Sequence, residues 1–126
     1  MGVTSVIDLK IDTFTRDGVD ILRKVAWQVE RGQHWAILGP NGAGKSSLLS
    51  IVAGYEWPSR GELAVLGEIY GKCDMRALKE RIGWVSSSLF TWLPARQSAR
   101  EVVATGIHAT IGNWHELSAE DLIRAD

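Results

Sequence analysis

The sequence predicts an α/β fold that begins with β-structure, and three patterns along the chain support this. Residues 5–12 and 21–30 alternate apolar and polar side chains, which is typical of half-buried strands. Residues 34–39 form a short apolar run that ends in glycine, and residues 44–54 repeat apolar side chains with a helical period. Antiparallel-type strands followed by a strand–loop–helix unit indicate an α/β protein with a β-rich start.

Each strand at the beginning of the chain has its own pattern. Residues 5–12, SVIDLKID, read as an edge-type strand, and Asp17-Gly18 is the core of the turn that follows it. In the second strand, three apolar side chains share one face and are expected to pack in the core: Val25, Trp27 and Val29. Trp35 is expected to join this core from the next strand.

The middle of the chain predicts a buried parallel strand that leads through a loop into a helix. HWAILG, residues 34–39, is the strand. The helix follows in residues 44–54, where Gly54 ends it. Its apolar side chains are expected on one side: Leu48, Leu49, Ile51 and Val52.

The remaining elements are shorter. ELAVLG, residues 62–67, and RIGWVSS, residues 81–87, are predicted strands, and Asp74 is the predicted N-cap of a short helix. Ser98 and Ser118 each begin a Ser-x-x-acidic capping box that opens a helix. The last helix has no stop signal before residue 126, so we expect an element that is cut off.

Composition excludes several classes of protein. The chain has 126 residues and a net charge of −1, so a nucleic-acid-binding surface gets no support. Its single cysteine, Cys73, excludes an internal disulfide and a multi-cysteine metal site. There is no signal-peptide pattern and no apolar run of the roughly 20 residues that span a bilayer. We therefore expect a cytoplasmic protein whose membrane association depends on a partner.

A glycine-rich loop carries the clearest chemistry. Gly39, Gly44, Lys45 and Ser46 satisfy the pattern G-x-x-x-x-G-K-[ST], in which glycines let main-chain N–H groups approach phosphate oxygens. Lys45 can reach the β- and γ-phosphates, and the Ser46 hydroxyl can bind Mg²⁺. The helix that starts there adds the positive end of its dipole. We call residues 39–47 the phosphate loop.

The segments around this loop resemble the ABC-type ATPases. LGPNGAGKSSLL, residues 38–49, resembles the Walker A motif of that family. The resemblance extends through ILRKVAWQVERGQHWAI upstream and through IVAGYEWPSRGELAVLGE, LKERIGWVSSSL and SAREVVATGI downstream. Together these blocks cover about residues 5–110, so the chain resembles an ABC transporter ATP-binding subunit over nearly its whole length.

The resemblance implies a P-loop NTPase of the ABC nucleotide-binding type, with residues 1–126 as the N-terminal portion of one domain, incomplete at its C-terminal side. ATP and Mg²⁺ are the implied cofactors, Lys45 is the implied catalytic residue, and Ser46 and Ser87 are the implied metal ligands. Ser87 stands where the family has a glutamine, which puts its role in doubt. Arg16 falls near the position of the family's adenine-stacking aromatic. The expected nucleotide-binding residues are Gly39, Pro40, Asn41, Gly42, Ala43, Gly44, Lys45, Ser46, Ser47 and Arg16.

The implied partners are a second nucleotide-binding domain and a transmembrane permease, which would hold the protein on the inner face of the membrane. ATP binding and, in the complete protein, hydrolysis would then energise solute transport. Two further features of the family are missing from this sequence: a glycine-rich LSGGQ-like signature and a Walker B strand ending in Asp-Glu. Residues 1–126 alone are therefore not expected to catalyse hydrolysis.

Three other functions fit part of the pattern. An ABC-family domain can serve a soluble machine for DNA repair or translation, which the low basic charge disfavours. A degenerate module can bind nucleotide without hydrolysis, which Ser87 and the missing motifs favour for this chain. A small-molecule P-loop kinase leaves the segments PSRGELAVLG and ERIGWV without a role.

Overall fold

The computed structural model describes residues 5–111 and 116–125. The chain forms two compact units, Met1–Leu78 and Lys79–Asp126. The first unit contains the sheet and the phosphate loop, and the second is built from short helices. In the described residues, no helix is long and apolar enough to cross a membrane.

The first unit is organised around an antiparallel sheet of four strands in the order β2-β1-β3-β4. Its strands are β1 (Ser5–Arg16), β2 (Val19–Glu30), β3 (Arg60–Val65) and β4 (Glu68–Ile69). β1 pairs with β2 on one side and with β3 on the other. The prediction of an edge strand over residues 5–12 was therefore wrong, because β3 comes from about fifty residues further along the chain and covers the free edge of β1.

One face of this sheet supplies most of the core of the first unit. β1 contributes Leu9, Ile11 and Phe14, while the other strands contribute Leu22, Val29, Leu63 and Val65. In β2, Val29 is buried, Val25 and Trp27 are half-buried and the residues between them are exposed, as the alternating pattern predicted. Lys24 has a positive φ of 49°. Before it the buried residue is the even-numbered Leu22, and after it the residues that face inward have odd numbers, beginning with Val25.

Helix α1 (Lys45–Val52) follows the phosphate loop. Leu48, Ile51 and Val52 are buried, whereas Leu49 is 38% exposed. The expectation that Leu49 shares the buried side was therefore wrong, because at about 100° per residue it projects from the flank of that side. The helix ends as predicted at Gly54, whose N–H donates to the carbonyl of Ile51 (3.0 Å).

Two predicted strands are absent from the described residues. Residues 33–40 and 82–86 have neither helical nor strand structure. Leu38 is 90% exposed and Val85 is 99% exposed, and Trp35, expected in the core, is 57% exposed. A parallel strand exists only when neighbouring strands satisfy its backbone groups, and no described segment pairs with these two.

Helix α2 (Met75–Lys79) joins the two units and begins at the predicted cap, where the Asp74 carboxylate accepts the backbone N–H of Arg76 (2.9 Å). The second unit contains a 3₁₀ helix at Ser87–Trp92, α3 (Ala99–Thr105), a 3₁₀ turn at Gly106–His108 and α4 (Ala119–Arg124). Both predicted capping boxes are present, with Ser98 paired to Glu101 and Ser118 paired to Asp121.

Two contacts hold α3 and its following turn against α4. The Arg100 guanidinium donates to the carbonyl of Leu122 (3.1 Å), and His108 lies 3.2 Å from the Asp121 carboxylate. The pKa of Asp121 is lowered by hydrogen bonds from Ser118 and then from His108. The caps and these two contacts therefore define the packing of this unit.

Candidate functional site

The phosphate loop has the backbone conformation that its glycines allow. Gly42 and Gly44 have φ values of 82° and 90°, in the left-handed region that favours glycine. Between them, the N–H of Ala43 donates to the carbonyl of Pro40 (3.2 Å), which closes a turn. Residues 39–43 are exposed, so their backbone groups are accessible to a ligand.

Gly44 is also required by its neighbours. A Cβ at this position would lie 2.7 Å from Cδ2 of Leu22 and 3.1 Å from the carbonyl oxygen of Ile21. The end of the loop therefore lies directly against β2. This contact fixes the start of α1, for which Gly44 is the N-cap.

The Lys45 side chain folds back over the loop. Its Nζ donates to the carbonyls of Gly39 (2.6 Å) and Pro40 (2.7 Å). These bonds place a positive charge beside the backbone that the sequence pattern assigns to phosphate. An anion that binds here can replace the two carbonyls as the partner of the ammonium group.

The first turn of α1 suits an anion as well. Its backbone N–H groups lack partners within the helix, and the turn contains no acidic side chain that would repel a phosphate. Ser46 is exposed, whereas Ser47 is only 8% exposed and lies on the buried side with Leu48. Of the two hydroxyls, Ser46 is therefore the one accessible to a metal ion held by phosphates.

Arg16 is the last residue of β1. It follows Phe14 by two residues, and Phe14 pairs with Leu22, the β2 residue that lies against Gly44 of the phosphate loop. Its guanidinium forms an ion pair with Glu56, and its Cζ lies 5.5 Å from the centroid of the Phe14 ring. Phe14 is 6% exposed and is therefore a core residue, while the Arg16 side chain remains 48% exposed. Arg16 thus presents a supported, accessible planar group.

Ser87 belongs to the second unit, where it is the exposed first residue of the 3₁₀ helix Ser87–Trp92. The Ser86 side chain caps this helix by accepting the N–H of Ser88 (3.2 Å). The pairing of Ser46 with Ser87 around one metal ion therefore stays a prediction. Across residues 5–111 and 116–125, no group of three or more His, Cys, Asp or Glu side chains could hold a metal by itself.

Comparison with known proteins places these features in a family. The sequence model of the ABC transporter family matches residues 22–124. The chain belongs to the ABC transporter family. The predicted fold class, an ABC-type P-loop NTPase domain with an antiparallel sheet at its start, is thereby confirmed.

Two ABC transporter ATP-binding proteins illustrate the relationship. The chain is 36% identical over 116 residues to the "uncharacterized ABC transporter ATP-binding protein YlmA" of Bacillus subtilis, covering 91% of this chain and 44% of that protein. It is 32% identical over 108 residues to the "phosphonates import ATP-binding protein PhnC" of Hydrogenovibrio crunogenus, covering 86% and 39%. The chain thus spans less than half the length of these relatives.

A solved ABC protein shows the same fold. A bacterial Atm1-family ABC exporter with ATP bound superimposes with a TM-score of 0.59 and 19% identity, over 83% of this chain and 21% of the exporter chain. This likeness concerns the fold of the ABC nucleotide-binding domain.

Sequence reasoning did not identify Glu56 as a partner of Arg16. The two residues are 40 positions apart, and the segment IVAGYEWPSRGELAVLGE, which contains Glu56, carried the family resemblance without implying a role for this residue. The only local signal was its position two residues before Pro58. That signal gives no information about which side chain Glu56 contacts.

Proposed function

We propose that this chain binds ATP with Mg²⁺ at the phosphate loop, as the N-terminal portion of an ABC nucleotide-binding domain. In the complete protein, ATP hydrolysis would energise the transport of a solute across a membrane. The observation that carries the proposal is the Lys45 ammonium group, held 2.6 and 2.7 Å from two loop carbonyls at the start of α1. Membership of the ABC transporter family supports it independently.

The residues of the loop fit the phosphates of a nucleotide. Lys45 offers a compact positive charge, and the exposed backbone of residues 39–43 together with the first turn of α1 offers N–H donors. The exposed Ser46 hydroxyl would orient a metal ion. Bound Mg²⁺ would neutralise charge on the phosphate oxygens. Lys45 would hold the terminal phosphate in position and stabilise the charge that develops during phosphoryl transfer.

The nucleoside end of ATP would lie toward Arg16, whose planar guanidinium can stack on a base. A second nucleotide-binding domain and a permease are the proposed partners, and the permease would place the protein at the inner face of the membrane. Family membership supports these partners, because the relatives are named as transporter ATP-binding proteins.

Lys45→Ala tests the proposal directly. Removal of the ammonium group deletes the main cation facing the phosphates, so we expect Mg-ATP affinity to fall by at least tenfold in a calorimetric titration. Lys72→Ala is the matched control, because Lys72 is an exposed lysine outside the loop. Equal affinities for the Lys45 variant and the unmodified chain would refute the assignment of the phosphate loop.

A second candidate function is nucleotide binding without turnover. Ser87 stands where the ABC-type ATPases that this chain resembles have a glutamine. The sequence after the phosphate loop contains no Asp-Glu pair of the Walker B type. A water-orienting carboxylate is therefore lacking in this chain. We expect negligible phosphate release from Mg-ATP by residues 1–126 in a steady-state assay. Turnover that disappears in Lys45→Ala would contradict this expectation.

A further inference from the structure

The guanidinium of Arg16 is held on two sides. Its Nη2 contacts Oε1 of Glu56, and its Cζ stands over the Phe14 ring at 5.5 Å from the centroid. The side chains of Arg16 and Glu56 are 48% and 25% exposed. An ion pair this accessible contributes little to folding stability. What it does is restrict the rotamers of a long side chain that remains half-exposed.

This group lies close to the phosphate loop. Phe14 pairs with Leu22 across the β1–β2 hairpin, and Leu22 is the side chain that a Cβ on Gly44 would touch. Arg16 is two residues further along β1, which corresponds to about 7 Å of strand. A nucleotide whose phosphates lie in the loop therefore has its nucleoside within reach of Arg16.

Glu56 itself is anchored to the helix that carries the phosphate loop. The backbone N–H groups of Tyr55 and Glu56 both donate to the carbonyl of Ser50, at 2.9 and 3.3 Å, and Ser50 belongs to α1. The same loop is tied to β1, since the Thr15 N–H donates to the Ser59 hydroxyl (2.9 Å). The position of the Glu56 carboxylate is thus set by α1 and by the end of β1 together.

We infer that Glu56 is a positioning residue that holds the Arg16 guanidinium as a platform for the base of a bound nucleoside triphosphate. The inference rests on the proposed function and extends it to recognition of the base. A planar, delocalised cation stacks on an aromatic base, and a cation held in place beforehand loses less rotamer freedom on binding. The pair should therefore raise affinity for ATP more than affinity for inorganic triphosphate.

The test compares Mg-ATP with magnesium tripolyphosphate by titration calorimetry on the 126-residue chain. We expect Arg16→Ala and Glu56→Ala each to weaken ATP binding by about two- to fivefold more than they weaken tripolyphosphate binding, because the charge term acts on both ligands and the stacking term on ATP alone. Arg16→Lys keeps the charge opposite Glu56 but lacks the planar surface, so it should also lose ATP affinity. The double variant should bind ATP no more weakly than Arg16→Ala alone, because Glu56 acts through Arg16.

Arg23→Ala is the matched control. Arg23 pairs with Asp20 on the same hairpin (2.9 Å) and is 73% exposed, so its loss should change neither titration. Glu56→Gln, which keeps an acceptor oxygen but loses the charge, guards against a general loosening of the loop and should weaken ATP binding less than Glu56→Ala.

Two results would overturn the inference, and they differ in what else they overturn. If the unmodified chain binds both ligands, and Glu56→Ala lowers both affinities equally or neither, Glu56 does not position a base platform and phosphate binding still stands. If the unmodified chain binds neither ligand, the proposed function fails as well.

Discussion

Replacing Gly44 by alanine should damage the phosphate loop more than the same change at Gly42. Both residues have positive φ values, 90° and 82°, so each substitution pays the left-handed backbone cost of about 1–2 kcal/mol. At Gly42 the new methyl group would meet nothing within 4 Å. At Gly44 it would lie 2.7 Å from Cδ2 of Leu22 and 3.1 Å from the Ile21 carbonyl.

The leucine methyl group can move, but the carbonyl is part of the backbone of β2 and yields less easily. Overpacking of this kind adds about 1–3 kcal/mol, so Gly44→Ala should cost about 2–5 kcal/mol in total. Urea unfolding, followed by the fluorescence of the six tryptophans of the chain, gives the free energy of unfolding of each variant. Calorimetry with Mg-ATP should show weaker binding by Gly44→Ala than by Gly42→Ala, since the start of α1 must shift in the Gly44 variant. Equal destabilisation by the two substitutions would refute the claim that contact with β2 fixes the loop.

Two further predictions concern hydrogen bonds that the structure shows. Ser98→Ala removes the half of a capping box in which the Ser98 hydroxyl accepts the N–H of Glu101, whereas the backbone N–H of residue 98 can still donate to the Glu101 carboxylate. The loss should destabilise α3 by about 1 kcal/mol, visible as faster amide exchange at Glu101; unchanged exchange would contradict the role of the cap. Hydrogen bonds from Ser98 lower the pKa of Glu101. The stabilisation that these bonds to the carboxylate provide is therefore fully present above the ordinary carboxyl pKa of about 4.3 and is lost as pH falls through the lowered pKa of Glu101. An NMR titration of Glu101 would follow this loss. Tyr70→Phe removes the hydrogen bond from the Tyr70 hydroxyl to the Val52 carbonyl (2.6 Å) and should cost about 1 kcal/mol. Burial raises the pKa of Tyr70 to about 12. The stabilisation from its hydrogen bond is therefore fully present below about pH 10 and is lost as pH rises through the raised pKa. A spectrophotometric titration that gave Tyr70 an ordinary phenol pKa would refute this.

Elements that depend on nearby residues were predictable from the sequence. The capping boxes at Ser98 and Ser118 require only residues three positions apart, and both are present. The turn at Asp17-Gly18 and the alternation of β2 are equally local, and both were correct. The motif of the phosphate loop is equally local, since its glycines and Lys45 lie within seven residues, while its phosphate-binding role stays a prediction.

Features that depend on distant partners were not predictable in the same way. β1 was assigned to an edge because nothing in residues 5–12 indicates that β3 pairs with it. Residues 33–40 have the apolar composition of a buried strand, but composition cannot supply the neighbours that make it a strand. Glu56 and Arg16 meet only because α1, the loop after it and β1 converge.

The exposed segment that leads into the phosphate loop, residues 33–40, has a practical consequence. Proteases act on exposed, extended backbone, and residues 33–40 offer such a substrate with Trp35 and Leu38 facing solvent. Cleavage there would separate the β1–β2 hairpin from the phosphate loop and α1. Because Lys45 bonds to the carbonyls of Gly39 and Pro40 at the end of this stretch, a ligand that engages Lys45 should alter the cutting rate. Limited digestion with chymotrypsin would thus serve as a label-free reporter of occupancy in this loop.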